Sequence, residues 1–152
     1  MRVTAKVDYA VRASIELGGS PPGQPVKGER IATAQHIPMK YLENILADLK
    51  RSGLVGSQRG AEGGYWLARP PADITVADLI RAVEGPLANV RGLQPQDAEF
   101  AGSALALKPM WICVRASLRR VLEHVTIADL VSGELPPEVA ALADDPDAWS
   151  AR

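Results

Sequence analysis

The residue types able to carry chemistry are few and scattered. A single cysteine, Cys113, cannot supply a set of thiolates, and the two histidines, His36 and His124, stand far apart with no cysteine at metal-ligand spacing. Cys113 is flanked by Trp111, Ile112 and Val114. An apolar setting of that kind raises a thiol's pKa, so Cys113 reads as buried and inert, with oxidation sensing as the alternative. Asp8 and Arg12 lie four residues apart, the spacing of a surface ion pair on a helix. Paired acids, a nucleophile beside a base and a metal cluster are all missing, so the sequence reads as non-enzymatic and without a cofactor.

The run Arg59-Gly-Ala-Glu-Gly-Gly64 invites comparison with a phosphate loop. A dinucleotide fingerprint needs G-x-G-x-x-G opening a helix, whereas here the strand-like Tyr65-Trp66-Leu67 follows. The glycines suit a hairpin turn with positive φ and let the backbone, with Arg59 and Gly60, come close to a polyanion. The remaining candidates for a contact face are Met39, Lys40, Tyr41, Glu43, Asn44, Lys50 and Arg51 on the second helix of that region. Lysine and arginine meet phosphates, glutamate accepts from cytosine N4, and asparagine pairs with adenine, which is the vocabulary of duplex DNA recognition. Glu43 has three readings: it contacts a base, pairs with Lys40 or Lys50, or is solvated.

These side chains need elements to present them. Thr4 is a candidate N-cap for a first helix carrying Val7, Ala10, Val11, Ser14, Ile15 and Leu17 inward until Gly18-Gly19. The proline-rich Ser20 to Pro25 is a loop. Glu29 to Gln35 and a helix from Pro38 to Gly53 follow, the second with Leu42, Ile45, Leu46 and Leu49 on one face. His36 in the turn between them suits a left-handed backbone. Two short helices across a tight turn form a helix-turn-helix, and the strands Leu54 to Arg59 and Tyr65 to Ala68 add a wing. The expected fold class is therefore mainly α with a small β-hairpin wing.

Further on, Asp73 or Thr75 caps a helix to Glu84, which Gly85-Pro86 stops. From Pro109 a long helix is expected with Trp111, Val114, Leu118, Val121 and Val125 as a heptad-like seam for dimerisation. The division is 1–85, a winged helix-turn-helix domain; 86–133, a linker and dimerisation helix; and 134–152, an acidic and partly flexible tail.

The 152 residues, 47% hydrophobic and 23% charged, are ordinary for one globular domain. Net charge −1 conceals a polarity: residues 1–81 hold 11 basic against 8 acidic side chains, and 82–152 hold 6 against 10. A basic amino half fits a polyanionic partner. The charged start MRVTAKVDYAVR lacks the apolar run of a signal peptide, and no stretch is apolar enough to span a bilayer, so a reduced, cytoplasmic, membrane-free setting is expected.

The chain resembles a family through Asp8-Tyr-Ala-Val-Arg12, Ile37-Pro-Met-Lys-Tyr-Leu-Glu-Asn44, Gly53-Leu-Val55, Arg59-Gly-Ala-Glu-Gly-Gly-Tyr65 and Ile80-Arg-Ala-Val-Glu-Gly-Pro-Leu87. These segments are similar to the Rrf2 family of bacterial winged-helix transcription regulators, over about residues 1–131. The resemblance implies a homodimer, a repressor on a double-stranded operator of imperfect palindromic form, joined through the helix after Pro109. Relatives that sense through an iron-sulfur cluster carry three cysteines between the E-G-P-L segment and that helix; residues 88–108 hold none. Asp8 resembles a position that lends a cluster ligand in some relatives, but one carboxylate does not replace three thiolates. Lys27 is a further departure, standing where a serine-type cap is usual. Control by an unknown small molecule, by a protein partner or by oxidation of Cys113 is left open.

Overall fold

The computed structural model describes residues 2–150. Helix α1 (Ala5–Gly18) starts at the Thr4 cap, whose hydroxyl accepts from the Val7 amide at 3.3 Å. Its small and branched inner face, Val7, Ala10, Ala13, Ser14 and Leu17, is buried against the elements that follow. Ser14 is the polar member of that face, and its hydroxyl donates to the Ala10 carbonyl at 2.8 Å, so burial leaves no polar atom unpaired.

The second and third helices, α2 (Gly28–Gln35) and α3 (Met39–Arg51), are joined through His36 at φ 52°, ψ 45°. The left-handed turn read from histidine is thus observed. Arg12 fastens this corner: its guanidinium donates to the Gln35 side chain at 3.1 Å, to the Gln35 carbonyl, and to Asp8 at 3.0 Å, while lying over the Tyr9 ring. A cation at the carboxyl end of α2 also complements the helix dipole. Helix α3 is held by Leu42, Ile45, Leu46 and Leu49, all fully buried. Each contributes roughly 1.5–3 kcal/mol of transfer free energy, which anchors α3 far more firmly than its polar face does.

Strands β1 (Val55–Gln58) and β2 (Gly64–Leu67) pair antiparallel, from Val55 with Leu67 to Gln58 with Gly64. An isolated bridge on the other edge of β2 comes from Val26, which exchanges two backbone hydrogen bonds of 2.8 Å with Tyr65. The wing is therefore stitched to the chain just ahead of α2. Gly64, at φ 151°, lies so near Val26 that a Cβ there would stand 2.6 Å from the Val26 carbonyl oxygen.

Helix α4 (Val76–Glu84) opens with a capping box between Thr75 and Asp78, settling the choice between Asp73 and Thr75. The later helix α6 (Ile127–Ser132) opens with the same device on Thr126 and Asp129. The two starts are bridged by Val76 donating to the Val125 carbonyl and Ile127 to the Ile74 carbonyl, both at 2.9 Å. Val125, expected on the dimerisation seam, is instead 5% exposed and lies beyond the end of α5 (Leu107–Leu122), where the chain has already turned back into the core.

Helix α5 begins two residues before the expected Pro109 and has no buried residue. It joins the rest of the molecule through α4. From Glu134, a region read as tail, comes a seventh helix, α7 (Pro137–Ala143), with Val139 buried and Trp149 donating its indole N–H to the Ala143 carbonyl at 2.6 Å. No helix among the described residues is long and apolar enough to cross a membrane.

Candidate nucleic-acid interface

Helix α3 divides cleanly. Its four leucine and isoleucine side chains face α1, which leaves Lys40, Tyr41, Glu43, Asn44, Ala47, Lys50 and Arg51 exposed on the opposite face. Lys40, Glu43 and Asn44 have no side-chain hydrogen bond or ion pair among the described residues, so their polar ends are available to an incoming partner. For Glu43 this removes one of the three readings, because neither Lys40 nor Lys50 holds it. Tyr41 leans edge-on against Tyr9 at a ring separation of 5.7 Å.

The remaining cations are more tethered than spacing alone implies. Lys50 donates to the Ser57 hydroxyl of β1 at 2.8 Å, which ties the end of α3 to the wing. Arg51 pairs with Asp48, and Asp48 also holds Lys6 of α1 at 2.7 Å. Met39 is half-buried, and its methyl group lies 2.8 Å from where a Cβ on Gly28 would stand, so it packs over the α2 backbone.

In the wing, Arg59 and Gly60 are exposed at the turn, and Arg59 has no side-chain partner among the described residues. Gly60 takes φ 100° with open space around it, as the hairpin reading required. Gly63 has a different reason: a Cβ would stand 2.2 Å from the Gln58 carbonyl oxygen. Lys27, which makes no cap for α2, reaches across to the turn and donates to the Gly60 and Ala61 carbonyls at 3.0 and 2.5 Å. Its partners lie more than thirty residues away, and no local sequence signal marks them.

The expectation for Cys113 is corrected: its thiol is exposed. Trp111, Val114, Leu118 and Leu122 line one side of a cleft of about 500 Å³ opposite Val3, Val7 and Ile80, and Met110, Cys113, Val114, Ser117, Leu118 and Val121 form an outward-facing strip beside it.

A helix-turn-helix whose second helix offers a free polar face, backed by a hairpin with an arginine at its tip, defines a winged-helix DNA-binding protein. The model of the Rrf2 family, described as an iron-dependent transcriptional regulator, matches residues 3–133. The chain belongs to the Rrf2 family of transcriptional regulators, proteins that bind DNA and are not enzymes. It is 48% identical over 145 residues to a Mycobacterium tuberculosis protein named as an HTH-type transcriptional regulator, covering 95% of this chain and 90% of that one. The structure of CymR, the global cysteine regulator of B. subtilis, superposes with a TM-score of 0.72 at 35% identity, covering 87% of this chain and 97% of that one. T. potens IscR gives a TM-score of 0.69 at 35% identity, with coverages of 100% and 93%.

The family description names iron, and the donor set does not fit it. The chain has one cysteine, and the described residues contain no cluster of three or more histidine, cysteine, aspartate or glutamate side chains able to hold a metal ion. Asp8 is engaged by Arg12 at 3.0 Å.

Proposed function

We propose that the protein is a cytoplasmic homodimeric repressor that reads an imperfect palindrome in double-stranded DNA without an iron-sulfur cluster. Helix α3 enters the major groove, with Glu43 and Asn44 at base edges, Lys40, Lys50 and Arg51 beside the phosphates, and Met39 and Tyr41 at the amino end of the same contact face. Arg59 and Gly60 of the wing follow the adjacent minor groove. One observation carries this reading: the exposed face of α3 presents Glu43 and Asn44 with no internal partner, beside a wing arginine that is equally unengaged. A carboxylate left free on a face meant for a polyanion is costly unless it accepts from a base.

Dimerisation rests on the apolar strip of α5. Trp111, Val114, Leu118 and Val121 are half-buried on a helix with no fully buried residue, and a second copy covers what the chain's own cleft leaves open. Val125 leaves the assignment because it is already buried. The effector is a small molecule or a protein; a second reading has oxidation of Cys113 control DNA binding, its thiol being exposed in the single chain and set on the strip through which the copies pair.

Selection of bound sequences from random DNA, with the wild type and the Glu43→Ala and Arg59→Ala variants, tests the reading. The wild type is expected to enrich a site with dyad symmetry, and each variant to lose roughly 1–3 kcal/mol on it with relaxed preference at the bases it touches. A site without dyad symmetry, or variants selecting it with undiminished affinity, overturns the assignment.

A further inference from the structure

Where α4 runs out against α5, three guanidinium groups converge. Arg81 of α4 and Arg115 and Arg119 of α5 line an open pocket of about 540 Å³ together with Leu87, Gln94 and Gln96 of the intervening loop. The carboxylates that face them are few. Glu123 pairs with Arg81 and lies 3.0 Å from the Arg119 Nε, and Asp78 stands 3.9 Å from Arg81. Arg115 donates to the neutral amide oxygen of Gln96 and has no carboxylate partner among the described residues. The hydrogen bond from Arg81, reinforced by Arg119, holds the Glu123 carboxyl below its ordinary pKa, so Glu123 stays ionised as the counter-charge of this pocket.

We propose that this pocket binds a small anion whose carboxylate or phosphate group lies between Arg115 and Arg119, with the Gln94 amide, whose oxygen accepts from Gln96 at 2.9 Å, as a further donor and Leu87 beside its carbon skeleton. Guanidinium forks match both head groups in geometry, and an arginine already satisfied only by a neutral amide gives up little to accept one. The anion competes with Glu123 for Arg119 and Arg81. At about 100° per residue, Arg115 and Arg119 point roughly 100–140° round the helix from Val114, so a second copy seated on the Val114, Leu118 and Val121 strip leaves the pocket open. Because the pocket spans the joint between α4 and α5, occupancy alters how α5 is held. A consequence for operator affinity rests on the DNA-binding reading above; the binding itself does not.

Melting and titration calorimetry of the full chain test it, with inorganic phosphate and citrate as separate probes at ionic strength held constant with sodium chloride. A saturable rise in Tm of about 2–4 °C is expected near five times the dissociation constant of the preferred probe. Arg115→Gln, which loses only the contact to Gln96, is expected to weaken binding about tenfold. Glu123→Gln is expected to tighten it by removing the competitor, and Arg91→Gln, an arginine set over the Phe100 ring outside the pocket, to leave it unchanged. A response to one probe alone identifies the head group. A rise that does not saturate, one that is equal in Arg115→Gln and wild type, or an affinity unchanged by Glu123→Gln overturns the proposal, and none of these readings involves DNA.

Discussion

Gly63 shows how much a single side chain decides at the wing. A methyl group there would meet backbone on the other limb of the turn at 2.2 Å, and that oxygen cannot step aside as a flexible side chain would. Gly63→Ala is therefore expected to cost about 1–3 kcal/mol and to weaken DNA binding through a displaced Arg59, checked by thermal melting and gel retardation. Gly60→Ala, at φ 100° with open space around it, is expected to strain the backbone without moving the strands. Residue by residue, the legible features were those with local causes: Thr4 as a cap, His36 in the left-handed turn, Asp8 with Arg12. Cys113 was misread because apolar neighbours in sequence do not make a buried site: Trp111, Ile112 and Val114 are themselves only half-buried, and Cys113 stands on the outward strip of α5. Lys27 was illegible because its role lies in two carbonyls on a distant turn.

At the scale of elements, α5 and the paired capping boxes carry the predictions. Helix α5 has no buried residue, and the buried core cluster includes none of its side chains. Leu118→Glu with Val121→Glu is thus expected to give a folded, soluble monomer by analytical ultracentrifugation with unchanged helix content, and a well-folded dimer from it contradicts the seam. The sequence reading missed both ends of α5, starting it two residues late and carrying it three residues too far, for different reasons. Pro109 sits in the first turn, where no intrahelical amide is required, so the helix starts at Leu107. At the other end the apolar spacing continues arithmetically to Val125, but a carbonyl taken by Val76 pulls that residue into the core. In α6, the amide and hydroxyl of Thr126 donate to Asp129 and hold its carboxyl below the ordinary pKa. A carboxyl depressed in the folded state binds its proton more weakly there than in the unfolded chain. Its contribution is complete above the ordinary carboxylate pKa and is lost as pH falls through the lowered value. Asp129→Asn is expected to flatten the acid limb of a stability profile followed by circular dichroism between pH 6 and about 2.

For the whole molecule, the division of labour follows the charge. The amino half carries the net positive charge, with Lys40 and Arg59 unengaged, and the carboxyl half the acidic α7 region, a polarity already present in the counts of basic and acidic residues. The mainly helical winged architecture was legible because hydrophobic period, turn chemistry and caps agreed at each step through Glu84. The α7 helix was not, since its acidic, proline-flanked sequence has only Val139 to bury. With one thiol per chain, anaerobic incubation with iron and sulfide is expected to leave no stoichiometric visible chromophore, and one cluster per subunit would reverse that assignment.

The sixteen residues of α5 make a rod about 24 Å long, pinned at its carboxyl end by Glu123 to Arg81. Leverage follows: a tilt of about 10° at that pin sweeps the amino end through roughly 4 Å, slightly more than the rise of one base pair. If two such rods set the separation of two reading heads, ångström-scale adjustment of a single arginine becomes a whole-step change in the spacing of DNA half-sites that the pair can span.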